Sequence, residues 1–199
     1  RETEGQILCQ NGEAVEAYYF STSAGVTSTD EIWGSDEAAP YLRSVPCKFD
    51  EEEPWSSWIV ELPWKMLEDR IREKGEGTVL RSVTVTRRSE SGAATALEAV
   101  SDKDSCIIEN EYEIRKFLAP VNCMITEKDG TETAGGSLLP SAYFELERTQ
   151  NGNLQVRGKG YGHGVGMSQT GADKMAEQGY DYREILDYFF RNITVENLG

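Results

Sequence analysis

The chain has 199 residues, 35 of them acidic and 20 basic, for a formal net charge of −15. That length fits one domain with a core built from 38% hydrophobic and 10% aromatic residues, and no stretch approaches the roughly 18 apolar residues of a membrane-spanning helix. The charge argues against nucleic acid, whose phosphates call for a basic stripe that is not visible here, and against anionic lipid surfaces.

The chain opens at Arg1 without Met or an apolar leader and runs straight into a strand. A segment in front of it is therefore expected. Asn11-Gly12 lies between two strand-like runs, residues 6–10 and 13–20. The pair suits a type I′ turn, because both central residues need positive φ. A Ser/Thr/Gly loop follows over residues 21–30, then the acidic run Asp50-Glu51-Glu52-Glu53, which reads as a solvated loop. Residues 58–62 read as a strand, and Pro63 opens a helix with Trp64, Leu67 and Ile71 on one face and Gly75 at its end.

Residues 78–87, 94–100 and 105–109 carry strand patterns. Asn110 with Glu113 predicts the cap of a short helix that buries Ile114, Phe117 and Leu118. Strands return at 123–126 and 142–148, and Asn151-Gly152 predicts a hairpin into 154–157. Two helices close the chain. Ser168 caps the first, which ends at Gly179, and Asp181 with Glu184 forms a capping box for the second. The sum is a single α+β domain over 1–199: a hairpin-rich antiparallel or mixed sheet, a few short helices, and two helices at the C-terminus. The four cysteines, at 9, 47, 106 and 123, form no CxxC pair. Three disulfide connectivities stay open beside the plainer reading as small buried hydrophobes.

The chemistry concentrates in residues 158–167. Gly158, Gly160, Gly162, Gly164 and Gly166 fall at every second position. In an extended chain this leaves one face as bare backbone, which permits close packing or close ligand approach. The other face presents Lys159, Tyr161, His163, Val165 and Met167. The segment runs into the Ser168 cap, so the free N–H groups of a helix start are expected beside His163, a setting that favours an anion. The dinucleotide, P-loop and nucleophile-elbow patterns all fail here. His163 is the chain's single histidine. It reads as functional rather than as a ring held inside a tight loop. Ser168 and Gln169 fit capping and function equally, and Tyr161 fits core or sugar platform equally. One histidine excludes a multi-histidine metal site, and no metal or other cofactor is expected. A second polar cluster, Ser21-Thr22-Ser23 and on to Thr27, follows the aromatic Tyr18-Tyr19-Phe20. Such residues make hydrogen-bonded turns, and hydroxyls beside aromatic faces also suit sugars.

The run from Gly160 to Ala172, with its alternating glycines, His163, Met167-Ser168-Gln169 and Gly171, resembles the C-terminal signature of the stage II sporulation protein D and amidase-enhancer family. The segments Tyr19 to Thr27, Ile32-Trp33-Gly34 and Pro40 to Val45 resemble its second block. Glu113-Ile114-Arg115 and Ser141 to Phe144 fit weaker positions between them. Ala24 stands where a second glycine is usual, and Thr170 where an aromatic is usual.

The resemblance implies an extracytoplasmic domain of a peptidoglycan lytic transglycosylase. Such an enzyme cuts between N-acetylmuramic acid and N-acetylglucosamine and closes a 1,6-anhydro ring, in septal wall remodelling during sporulation. Peptide-stripped glycan strands and a cell-wall amidase are the implied partners. One glutamate can act as acid and then base in that reaction. In the family it sits on a helix upstream of the part seen here, so no catalytic residue is assigned to this chain. Ser21, Thr22, Ser23, Tyr161, His163, Ser168 and Gln169 are then the candidates for glycan contact. The alternative is a non-catalytic wall-binding or amidase-activating module.

Overall fold

The computed structural model describes residues 3–35 and 37–197. Arg1, where the chain opens, lies outside the described residues. Strand β1, Gln6–Gln10, turns through Asn11 and Gly12, both at positive φ, into β2, Glu13–Ala14. The expected strand over 13–20 is not continuous. Pairing lapses after Ala14 and resumes in β3, Tyr19–Phe20. One-turn 3₁₀ helices follow at Asp30–Trp33 and Pro54–Ser56. The next elements are β4 (Trp58–Leu62), α1 (Trp64–Glu73), β5 (Leu80–Arg88), β6 (Ala94–Ser101), β7 (Ser105–Glu109) and α2 (Glu111–Phe117). Then come β8 (Met124–Glu127), β9 (Glu132–Ala134), β10 (Phe144–Arg148), β11 (Leu154–Gly158) and β12 (Met167–Ser168). Helices α3 (Gln169–Glu177) and α4 (Tyr182–Phe189) lead into β13 (Thr194–Asn197).

The local signals act as their chemistry requires. The Asn110 side chain accepts from Glu113 N, and Asp181 with Glu184 completes its capping box. Strand β4 alternates buried and exposed residues, placing Trp58, Val60 and Leu62 inward. The fold is α+β. The sheets are a five-stranded antiparallel β10-β11-β4-β8-β9, the meander β5-β6-β7, the trio β13-β1-β2, and a parallel pair of β12 with β3. Residues 194–197 carry too little alternation to announce β13. It forms because β1 offers it a free edge, with Leu8 opposite Val195.

Two core clusters result. One lies between the five-stranded sheet, α1, α2 and the meander, around Trp58, Leu67, Leu97 and Val156. The other holds α3 and α4 against Ile32, Leu42, Val45, Cys47 and Val165, through Met175, Phe189 and Phe190. All four cysteines are free thiols; Cys9 and Cys47 are buried, the other two partly so. No described helix is long and apolar enough to cross a membrane.

Trp58 joins the first core to the glycine segment. Its indole Nε1 donates to Gly160 O at 2.8 Å, and its ring fills the space where a Cβ on Gly158 would lie, 2.0 Å away. Gly158→Ala should therefore cost about 2–3 kcal/mol by overpacking. Gly136→Ala, whose Cβ would meet nothing within 4 Å, should be near neutral. Urea unfolding midpoints of the two variants check this.

Candidate functional site

Residues 160–166 are not extended. Gly160, Gly162, Gly164 and Gly166 all have positive φ, between 76° and 115°. The segment is a loop of alternating handedness, and its bare backbone serves close packing. At Gly166 a Cβ would lie 2.2 Å from the Tyr18 carbonyl oxygen; at Gly160 it would lie 2.8 Å from that of Thr22. Both positions combine positive φ with another backbone at contact, and only glycine meets both demands. The two backbones are bonded to each other: Tyr161 N donates to Thr22 O at 2.8 Å, and Thr22 N to Tyr161 O at 3.1 Å. Met167 N donates to Tyr18 O at 3.0 Å, where β12 meets β3.

Asp50 sits beneath this junction. It is fully buried, not part of a solvated acidic loop as its sequence neighbours suggest. Its carboxylate accepts from Ser23 N (2.7 Å), Ser23 Oγ (2.7 Å) and Ser168 Oγ (2.6 Å). Ser168 Oγ in turn accepts from Gly171 N at 3.2 Å, capping α3. Thr170 N donates to Ser21 O at 3.0 Å. The start of α3 therefore has an acidic partner inside the protein and two of its N–H groups engaged. The negative charge that the helix dipole favours is supplied by Asp50, which corrects the expectation of free N–H groups beside His163. Burial, with Asp50 adding to it, pushes the neighbouring Cys47 thiol up to about 12.

The seven candidates separate on this geometry. The structure brings Ser23 and Ser168 together as buried hydrogen-bonding groups. Thr22 is also buried, its Oγ1 3.0 Å from Thr170 Oγ1. Thr170, where the signature usually has an aromatic, instead holds Ser21 O through its hydroxyl at 2.7 Å. Ser21 and His163 are half-buried, Gln169 is exposed, and Tyr161 is 43% exposed.

The accessible groups are mostly aromatic. His163 packs between Trp33, with ring centroids 5.1 Å apart, and Phe20, at 5.7 Å. Trp33 is 36% exposed and meets Tyr18 edge-on at 5.0 Å. Tyr161 meets Trp55 edge-on at 4.6 Å. Val165 N donates to His163 Nδ1 at 3.1 Å, which leaves the ring proton of the neutral form on Nε2. Burial lowers the His163 pKa from its ordinary 6.5, Arg115 lowers it further, and a hydrogen bond to the Tyr19 backbone acts the other way. His163 is thus a neutral hydrogen-bonding ring at physiological pH. Among the described residues no three His, Cys, Asp or Glu side chains gather as a metal cradle.

Sequence reasoning missed Asp50 and Trp55 as parts of this site, and placed Arg115 only among the weaker positions of the resemblance. Trp33 stood in a signature block without a role. No local pattern marks them: Asp50 is separated from Ser168 by 118 residues, and only folding brings the two together.

Asp50→Ala removes the acceptor of four buried donors, Ser23 N, Ser23 Oγ, Ser168 Oγ and the Cys47 thiol. It should cost about 3–5 kcal/mol, read as a lower urea midpoint. A proton NMR titration of the His163 ring should give a midpoint below 6.5. The sign follows from linkage, because the unfolded ring binds its proton more readily than the folded one. The contribution of His163 to stability is complete above the unfolded value and is lost as pH falls through the lowered folded value.

A family model described as a domain of unknown function, DUF8618, matches residues 43–166. Stage II sporulation protein D of Bacillus amyloliquefaciens is 30% identical over 193 residues, covering 97% of this chain and 48% of that protein. Its counterpart from Bacillus subtilis (strain 168) is 29% identical over 194 residues, covering 97% and 48%. The amidase enhancer of Bacillus subtilis (strain 168) is 22% identical over 227 residues, covering 98% of this chain and 31% of that protein. The chain thus spans about half the length, or less, of these curated relatives. With the family model over 43–166, the chain belongs to the DUF8618 family, and its likeness to stage II sporulation protein D runs along 97% of its length.

Proposed function

We propose that this chain is the glycan-holding part of a peptidoglycan-processing protein that acts on the sporulation cell wall, outside the cytoplasm. The observation that carries this reading is the accessible aromatic set on a rigid frame. Neutral His163 and Tyr161 stand on a segment held by backbone bonds to residues 18–22, Trp33 packs on the His163 ring, and the ring surfaces remain partly open. Sugars offer apolar C–H faces to aromatic rings and hydroxyls to neutral donors and acceptors. His163 contributes its ring face to such a surface, since its Nδ1 accepts from Val165 N and a further hydrogen bond ties the ring to the Tyr19 backbone.

In this reading Ser23, Thr22, Ser168 and Asp50 are positioning residues. They set the Tyr161–Gly166 loop and the start of α3. Tyr161, His163, Gln169 and Ser21 are the groups in reach of glycan. Two names among the relatives support the wall setting: stage II sporulation protein D and amidase enhancer. The reaction we propose is lytic transglycosylation of peptide-stripped glycan, with a 1,6-anhydro product. The acid–base glutamate is assigned to no residue of this chain; Asp50 and Glu111 are both buried in internal hydrogen bonds. The amidase-enhancer relative favours a second reading, a module that binds the wall and stimulates an amidase.

The test incubates the protein at its full genomic length with peptide-free glycan and analyses the products by mass. Anhydro-muramic ends are expected, with turnover about tenfold lower in Trp33→Ala and His163→Ala, the loss of roughly one stacking contact each. Hydrated reducing ends would replace transglycosylation by hydrolysis. Uncut glycan together with faster peptide release by an added amidase would establish the second reading.

A further inference from the structure

The meander β5-β6-β7 ends on two strand edges, and they differ. The ladder of β5 on β6 shifts register at three places, and β5 carries Arg81, Arg87 and Arg88. Bulges and charges of this kind keep an edge from pairing with another chain. Strand β7 has neither. It pairs with β6 in unbroken register over all five residues, from Ala96 opposite Glu109 to Val100 opposite Ser105. Its run Ser105-Cys106-Ile107-Ile108-Glu109 holds no Lys, Arg or Pro. The outer strands of the other antiparallel sheets are short or guarded. Strands β2, β9 and β13 have two, three and four residues. Strand β10 carries Glu145, Glu147 and Arg148, and its Phe144 O already accepts from Arg88.

The hydrogen-bond phase of the β6–β7 ladder fixes which groups point outward. Antiparallel pairs alternate between bonded and non-bonded types. Asn110 N donates to Thr95 O at 3.1 Å and Ser101 N to Asp104 O at 2.9 Å, so residues 104, 106, 108 and 110 bond toward β6. Ser105, Ile107 and Glu109 then turn their N–H and C=O groups to the free edge. Ser105 N is held by Asp104 Oδ1 at 2.8 Å. The amides of Ile107 and Glu109 find no acceptor elsewhere among the described residues. All three residues are exposed, Ile107 by 51%, and Cys106 on the opposite face is half-buried.

The strand is complementary to itself. Laid antiparallel on a second β7 and centred on Ile107, it sets Ile107 opposite Ile107, Cys106 opposite Ile108, and Ser105 opposite Glu109. Every apolar residue meets an apolar one, and each Glu109 carboxylate meets a serine hydroxyl instead of another carboxylate. Asp104, next outside the strand, faces Asn110. Glu109 also has its own cation, Arg87 at 3.1 Å, so the strand brings no unpaired charge to the seam of a chain that carries −15. A two-fold axis through Ile107 generates all of these pairs at once.

We propose that two copies of this chain join edge to edge through β7, so that their two three-stranded meanders become one continuous antiparallel sheet. The pairing takes the free amides of Ile107 and Glu109 into hydrogen bonds and covers the Ile107 and Cys106 side chains. It stands apart from the glycan reading and needs no ligand.

The test is sedimentation equilibrium of this chain from micromolar to near-millimolar concentration, with amide hydrogen exchange read residue by residue. A reversible monomer–dimer equilibrium is expected, and the Ile107 and Glu109 amides should exchange more slowly as concentration rises. Ile107→Lys sets two like charges opposite each other at the centre of the seam and should weaken association about tenfold or more. Ile107→Pro should do the same, since it removes an N–H that faces the edge and none that bonds to β6. Ile107→Val should keep most of the association. Ile59→Lys, at an exposed position of β4, should leave it unchanged. Circular dichroism checks that each variant is folded. A chain that stays monomeric throughout, a dimer indifferent to Ile107→Lys, or Ile107 and Glu109 amides whose exchange ignores concentration would overturn the proposal.

Discussion

Two backbones touch in this protein, and the site exists because they do. Residues 160–166 lie against residues 18–24 closely enough that a Cβ at Gly166 would come within 2.2 Å of a carbonyl oxygen. Contact at that distance removes side-chain freedom from the junction and replaces it with reciprocal N–H···O bonds, as between Tyr161 and Thr22. Side chains that leave such a junction are well directed, because the backbone beneath them has few other states. Tyr161 and His163 owe their placement to that constraint, and Trp33 packs against the His163 ring.

Asp50 completes the junction from below. A buried carboxylate is costly unless its lone pairs are used. Here it accepts from a backbone amide and two serine hydroxyls, one of which caps α3. The polar groups of two distant segments are therefore satisfied by one residue from a third. This gives Ser23 and Ser168 a different part from Tyr161 and His163, although all four stand in the same two sequence blocks. Serines at a turn and at a helix cap have structural uses of their own. Burial separates the two groups.

The electrostatics follow the same division. A chain of net charge −15 holds a neutral histidine between aromatic rings and pairs its buried Arg115 with Glu111. Uncharged, partly apolar ligands suit these surfaces better than ionic ones.

Much of the architecture was legible in the chain because its signals are local. The Asn11-Gly12 turn, the Asn110 and Asp181 caps and the alternation of Trp58 to Leu62 each act within a few residues. They settle themselves whatever the rest of the chain does. The signature blocks likewise marked which segments matter. The sequence by itself thus determined the α+β class, the order of most helices and longer strands, and the two segments that meet at the candidate site. Tertiary structure decided the rest. The glycine alternation, which an extended chain would turn into a bare face, became a loop of positive φ, because the Tyr18–Ala24 backbone occupies the space beside it. Asp50 left its acidic neighbours for the interior, because donors far away in sequence converge there. Strand β13 formed on an edge made at the opposite end of the chain. Each of these depends on contacts between residues far apart in sequence, and such contacts have no local pattern to read.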